Sequence, residues 1–219
     1  MPIDPVIAPY TLHPLIPRIH TYHHPEPFHN YVMSLDPASG SGKDDTVIVV
    51  YDITARRIAA SYTDNNTKIE DIICPNGAAL VLDRTYSPHM FIIEKNGIGA
   101  GAIGLARQNN LNKIVEYTAT NAQRSQAFMW VRQQLKNGMC ADENLLRNCQ
   151  RCMVSESSAG LEIFEEDKDF LSALGFIGLY ESQWQHLSSY KPPPPPLQHN
   201  QFQPILTQPK YKVTSPWNQ

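Results

Sequence analysis

The chain has 219 residues, 42% of them hydrophobic, and a formal net charge of −3, which suits one domain with extensions. Its lysines and arginines are scattered, so no basic stripe matches a phosphate backbone and long nucleic acid is not expected as a partner. No apolar run approaches the roughly 18–20 residues of a membrane span, and Met1-Pro-Ile-Asp-Pro5 lacks the parts of a signal peptide; a cytoplasmic protein with no membrane contact is expected.

Residues 1–45 read as an extended arm and linker. Prolines at positions 2, 5, 9, 14, 17, 25 and 27 remove backbone donors and interrupt any helix, while Tyr10, Leu12, Leu15, Ile19 and Phe28 suggest that the arm lies across another surface. His20, His23 and His24 fall in this proline-broken stretch without fixed geometry, and no metal site is assigned to them. Asp36-Pro-Ala-Ser-Gly-Ser-Gly-Lys-Asp-Asp45 reads as a flexible linker.

A single domain is expected over residues 46–187. Val47-Ile-Val-Val-Tyr51 is β-branched and aromatic, and residues 57–62 return beside it. Two further apolar runs, 69–73 and 78–82, flank a turn at Cys74-Pro-Asn-Gly77. Residues 90–93 and 113–117 read as strands. Thr120-Asn-Ala-Gln123 has the capping-box pattern that opens a helix, with Ala127, Phe128, Val131 and Leu135 on one face and Asn137-Gly138 as its stop. Another helix is expected at 142–148, a strand at 151–155, a helix at 164–174 ended by Gly175, and a last strand at 176–180. Residues 188–219 form a proline-rich C-terminal arm in which Pro192 to Pro196 compose a polyproline segment.

Gly99-Ala-Gly101-Ala-Ile-Gly104 spells G-x-G-x-x-G, the pattern that lets a helix N-terminus approach a dinucleotide. Only 105–112 separate Gly104 from the next strand, and Asn109-Asn110 interrupt a helix there. A hairpin is the simpler reading, with Glu94-Lys-Asn-Gly97 as its turn and residues 98–105 as the return strand.

Read as a hairpin, this block resembles the central part of the Gcn5-related N-acetyltransferase family. The pieces that carry the resemblance are the hairpin through Gly104, Ile114-Val-Glu-Tyr-Thr-Ala119, Arg124-Ser-Gln-Ala-Phe-Met129, Cys152-Met-Val-Ser-Glu156 and Phe170-Leu-Ser-Ala-Leu-Gly-Phe176. The resemblance implies an α/β (α+β) domain on a mostly antiparallel mixed sheet with flanking helices. It further implies acetyl-CoA bound by Thr118, Arg124, Ser125, Gln126, Ala127, Phe128 and Met129, and acetyl transfer to an amine with Glu116 as base and Tyr180 as a second titrating group. The chain departs from the family at Met129, where a bare backbone is usual, and at Leu171, which aligns with the family's tyrosine acid.

Two other classes compete. A non-catalytic assembly protein would use its arms on partner subunits or a second copy, with a protein partner docking on the proline-rich C-terminal arm. A cysteine hydrolase would use Cys74 and His89 as nucleophile and base. The other cysteines, Cys140, Cys149 and Cys152, are too unevenly spaced for a disulfide framework and read as free thiols.

Overall fold

The run Val47-Ile-Val-Val-Tyr51 nucleates the sheet as its composition predicts. Strand β4 (Thr46–Asp52) pairs antiparallel with β5 (Arg57–Asp64), and every residue of β4 is buried, because helices cover both faces of the sheet at this strand. The computed structural model describes residues 10–111, 113–118, 120–137, 139, 145, 153–157, 160–164 and 169–188.

The remaining strands of the main sheet are β1 (Thr11–Leu12), β2 (Ile19–Thr21), β3 (Tyr31–Asp36), β6 (Met90–Glu94) and β7 (Ile114–Tyr117), in the order β1-β2-β5-β4-β3-β6-β7. Pairing is antiparallel from β1 through β3 and parallel for β3 with β6 and β6 with β7. A separate hairpin joins β8 (Met153–Ser157) to β9 (Gly160–Phe164). The expected α/β class, a mostly antiparallel mixed sheet with flanking helices, is the architecture found.

The strand at which the sheet passes from antiparallel to parallel pairing, however, comes from the segment read as an arm. β3 pairs with β4 on one side and β6 on the other, so a boundary at residue 46 separates strands that share a ladder. Pro14 and Pro17 lie between β1 and β2, and Pro25 and Pro27 between β2 and β3, where no ladder donor is needed. The glycine-rich stretch read as a linker is the connection of the β3–β4 hairpin and packs closely. Gly40 has φ +68°, and a Cβ there would lie 2.6 Å from the Thr67 carbonyl oxygen.

One face of the sheet carries α1 (Ile69–Ile72), α2 (Ala78–Tyr86) and α3 (Gly99–Gln108). Met33, Leu35, Ile48, Phe91 and Ile93 meet Leu82, Ala102, Ile103 and Ala106 in that core layer. The other face carries α4 (Asn121–Lys136), α5 (Asp169–Leu179) and α6 (Glu181–Ser188). Val32, Val49, Tyr51 and Ile92 pack there against Phe128, Val131, Leu174, Phe176 and Trp184.

Helix α4 opens with the expected capping box, Thr120 and Gln123 bonding reciprocally. Three other expectations are corrected. The apolar runs at 69–73 and 78–82, met in a strand-like stretch of sequence, form the helices α1 and α2. The return strand at 98–105 is α3, whose Ala102, Ile103 and Ala106 form a buried stripe, so β6, α3 and β7 make a parallel crossover unit rather than a hairpin. Neither a stop at Gly175 nor a strand at 176–180 exists, because α5 continues to Leu179.

Gly175 serves packing instead. A Cβ on it would lie 2.7 Å from Ala127 Cβ, and one on Gly178 would lie 2.3 Å from the Trp130 ring, so these glycines let α5 sit directly against α4. The helix expected at 142–148 and the polyproline segment lie outside the described residues, apart from buried Leu145. No helix among the described residues is long and apolar enough to cross a membrane.

Two polar anchors fix this arrangement. Buried Ser34 of β3 donates to the Ala173 carbonyl at 2.6 Å, tying α5 to that strand. At the opposite end of β3, fully buried Asp52 accepts from the Thr54 and Ala55 amides at 3.0 and 2.9 Å, and lies 2.7 Å from His29 Nδ1 and 3.5 Å from Arg57 Nε. Asp52→Ala removes the acceptor from this buried network and is expected to cost about 3 kcal/mol in chemical denaturation. Gly175→Val forces α4 and α5 apart and is expected to cost about 2 kcal/mol or more by the same measurement.

Candidate active site

Strands β3 and β6 run the same way and end together. Their last register pair is Leu35 with Ile93, so the next residues, Asp36 and Glu94, stand side by side at the strand ends. Both lie two positions beyond residues that face α4 and α5, namely Ser34, bonded to α5, and Ile92, packed in that core layer. The alternation of strand side chains therefore directs both carboxylates to that face. Asp169, in the first turn of α5, completes the cluster. The Asp45 amide donates to Asp169 Oδ2 at 2.8 Å, so the β3–β4 connection holds the third acid in place.

Around Glu94, which is 6% exposed, one oxygen takes two donors. Arg124 Nη2 lies 2.8 Å and Asn96 Nδ2 3.0 Å from Oε1. Burial, then the charges of Glu94 and Asp169 and a hydrogen bond with Glu94, raise Asp36 well above the usual carboxylate range, with Arg124 opposing. Tyr117 ends β7 opposite Glu94; burial and the Glu94 charge push its phenol up to about 12. Its buried hydroxyl has no hydrogen-bond partner among the described residues.

The first turn of α3 lies against the same strand end. Gly99 is required there, since a Cβ would fall 1.6 Å from the Glu94 carbonyl oxygen. The glycine that spelled a dinucleotide fingerprint thus brings a helix against the strand carrying Glu94.

Oxygen-only donors and crowded negative charge fit a hard divalent cation, which prefers carboxylate ligands. Among the described residues no three His, Cys, Asp or Glu side chains are already grouped to hold an ion. Asp36 and Glu94 nonetheless interact strongly enough to raise Asp36 together with its burial, and a cation at this strand end would offset their mutual repulsion.

The residues singled out from sequence lie elsewhere or act otherwise. Glu116 sits on β7 at the parallel edge of the sheet. Its carboxylate is bound by Lys95 Nζ at 2.9 Å and by Arg107, which hold it below the ordinary carboxylate range. A general base needs the opposite shift. Tyr180 donates its hydroxyl to the Glu116 carbonyl oxygen at 3.4 Å, and burial raises its phenol.

Thr118 is exposed between β7 and α4. Ser125 donates to the Asn121 carbonyl, Gln126 lies on the first turns of α4, Ala127 and Phe128 are buried in the helix interface, and Met129 is 46% exposed. Of this set only Arg124 reaches the carboxylate cluster. The Cys74 thiol donates to the Asp71 carbonyl, whereas His89 Nε2 bonds Asn30, so the structure gives no support to a nucleophile and base there.

Asp36, Glu94 and Asp169 carry no site role in the sequence, where Asp36 reads as the start of a linker and Glu94 as part of a turn. The signal was an apolar run that closes on a carboxylate before a turn, seen in Tyr31-Val-Met-Ser-Leu-Asp36 and again in Phe91-Ile-Ile-Glu94.

No protein-family model and no curated protein matches the chain. Solved structures do. The large terminase nuclease from thermophilic phage G20c with bound magnesium superposes with a TM-score of 0.63 at 15% identity, covering 78% of this chain and 90% of that one. The same nuclease with bound cobalt gives 0.63 at 16% identity, with 80% and 92% covered. The Thermus phage P74-26 large terminase nuclease domain gives 0.61 at 15% identity, with 81% and 90% covered. At these identities the likeness is one of fold.

This likeness overturns the resemblance to acetyltransferases and, with it, acetyl-CoA as cofactor. The physical reason lies in the sheet: Ile93 and Glu116 are direct register partners, so β6 and β7 leave no cleft between them for a coenzyme.

Two stability measurements test the cluster. A carboxyl whose folded-state pKa is raised binds more protons folded than unfolded, so its contribution falls as pH rises above about 3.8, its ordinary value, and is a net penalty at neutral pH. Asp36→Asn is therefore expected to raise Tm near neutrality, with the gain shrinking as pH drops towards the ordinary carboxylate range. Gly99→Ala is expected to lower stability by about 1–3 kcal/mol through displacement of the Glu94 backbone. Gly101→Ala, where a Cβ meets nothing within 4 Å, is expected to be neutral or stabilising by up to about 1 kcal/mol.

Proposed function

We propose that the chain is a divalent-metal-dependent nuclease that hydrolyses phosphodiester bonds in DNA. The observation that carries the reading is the convergence of Asp36, Glu94 and Asp169, where burial, and after it the two neighbouring acids, raise Asp36 well above its ordinary value. Support comes from the fold shared with phage terminase nuclease domains, some of them with bound magnesium, cobalt or zinc. The oxygen donors here favour magnesium or manganese.

Asp36 and Glu94 would hold the cation from the strand ends and Asp169 from the head of α5. The bound cation supplies charge neutralisation at the phosphate and a more acidic water. Burial at the strand ends keeps bulk water from screening these charges. The Asp45 amide keeps Asp169 turned to the site, and Asn96 orients Glu94, as hydrogen bonds behind metal ligands do.

This reading withdraws the expectation against long nucleic acid. A net charge of −3 is a sum over the chain, whereas binding depends on local charge, and Arg124 stands at the cluster itself, paired with Glu94. A protein partner remains part of the proposal, docking through the proline-rich segment Pro192 to Pro196.

Incubation of the purified protein with plasmid DNA and Mg²⁺ or Mn²⁺ is expected to give cleavage that chelation abolishes. Asp36→Asn, Glu94→Gln and Asp169→Asn are each expected to lower the rate on the order of 100-fold or more. Full activity in EDTA, or in the Asp36→Asn variant, would overturn the assignment.

A further inference from the structure

We infer that Arg124 is the phosphate-binding residue of this site, released from Glu94 when a divalent cation takes that carboxylate and then paired with the DNA backbone beside the cleavage point. The inference rests on the nuclease reading and extends it to a residue that contacts substrate.

Three paired cations lie near the ends of β6 and β7, and their partners separate them. Lys95 and Arg107 are bound to Glu116, which stands outside the carboxylate cluster and keeps them when a cation binds. Arg124 is bound to Glu94, one of the acids that the cation would claim. A divalent ion on Glu94 neutralises the charge that attracts the guanidinium and repels it directly. Arg124 alone of the three then loses its partner.

Glu94 does not depend on that partner for its position. Asn96 donates to the same oxygen at 3.0 Å, so the carboxylate stays oriented after the guanidinium leaves. Helix α4 does not depend on it either. Its amino end is closed by the Thr120–Gln123 box and it is held by Ala127, Phe128 and Val131 in the core. The Arg124 side chain is one-third exposed, with a long stem and a planar fork that suits two phosphate oxygens at once. The exchange from carboxylate to phosphate pairs the guanidinium with an anion both before the cation binds and after DNA binds, so no charge is left uncompensated in either complex.

The test uses the full chain and a short labelled DNA duplex. Fluorescence anisotropy in Ca²⁺ buffer between about 50 and 200 mM salt gives the affinity and its salt slope. Arg124→Gln is expected to weaken binding roughly tenfold and to lower the slope of log K against log salt by about one. In Mg²⁺ it is expected to raise KM more than it lowers kcat. Arg124→Lys is expected to retain the slope while recovering only part of the affinity, because it keeps the charge and loses the fork. Calorimetry on the free protein is expected to show tighter Mg²⁺ binding in Arg124→Gln, since a competing cation has gone.

An Arg124→Gln protein that cuts DNA with an unchanged salt slope, or binds Mg²⁺ more weakly than the wild type, would mean that Arg124 only supports Glu94, and the inference fails while the nuclease reading stands. A wild-type protein that neither binds nor cuts DNA overturns both.

Discussion

Everything at the candidate site depends on β3 and β6 running in the same direction and in register. A parallel pair brings two carboxyl-terminal strand ends to one edge, so Asp36 and Glu94 meet there without any loop having to carry them. Strand alternation then turns both towards the face covered by α4 and α5. The remaining devices act on that juxtaposition. Ser34 bonds α5 to β3 and thereby sets where Asp169 begins. Gly99 lets α3 start against the Glu94 backbone, where a side chain has no room.

Asp52 and Asp36, at opposite ends of this sheet, show how environment separates a charge-compensated acid from an uncompensated one. Asp52 has a histidine, an arginine and two backbone amides around it, so its charge is compensated where it sits. Asp36 has two other acids as neighbours and a single guanidinium opposing them. The first arrangement closes a network between the N-terminal segment and the β4–β5 turn. The second concentrates unfavourable charge at a strand end, a cost that folding does not require and that a bound cation would relieve.

Several local features were legible in the sequence. The capping box at Thr120 and Gln123, the strand at Val47-Ile-Val-Val-Tyr51 and its return, and the strands at 90–93 and 113–117 depend on interactions within a few residues, and they stand as read. Residues 98–105 were misread because their glycines argue locally against a helix. Burial of Ala102, Ile103 and Ala106 beneath the sheet overrides that preference, as tertiary packing routinely does. Gly175 was misread for a related reason, since a glycine that ends a helix and a glycine that admits a neighbouring helix look the same in sequence.

The sequence by itself determined the α/β class with a mixed sheet, the strands β4 to β7 and the helix opening at Thr120, because periodicity and capping are properties of neighbouring residues. It did not determine strand partners. The proline-flanked segment around Tyr31-Val-Met-Ser-Leu-Asp36 gives no sign of being an interior strand, since its ladder forms with residues both adjacent in the chain and nearly sixty positions away. Only the tertiary structure decided that three carboxylates, at positions 36, 94 and 169, meet at one sheet edge. Their meeting is a consequence of strand direction and helix placement, and these are fixed by burial summed over the whole sheet rather than by any local motif.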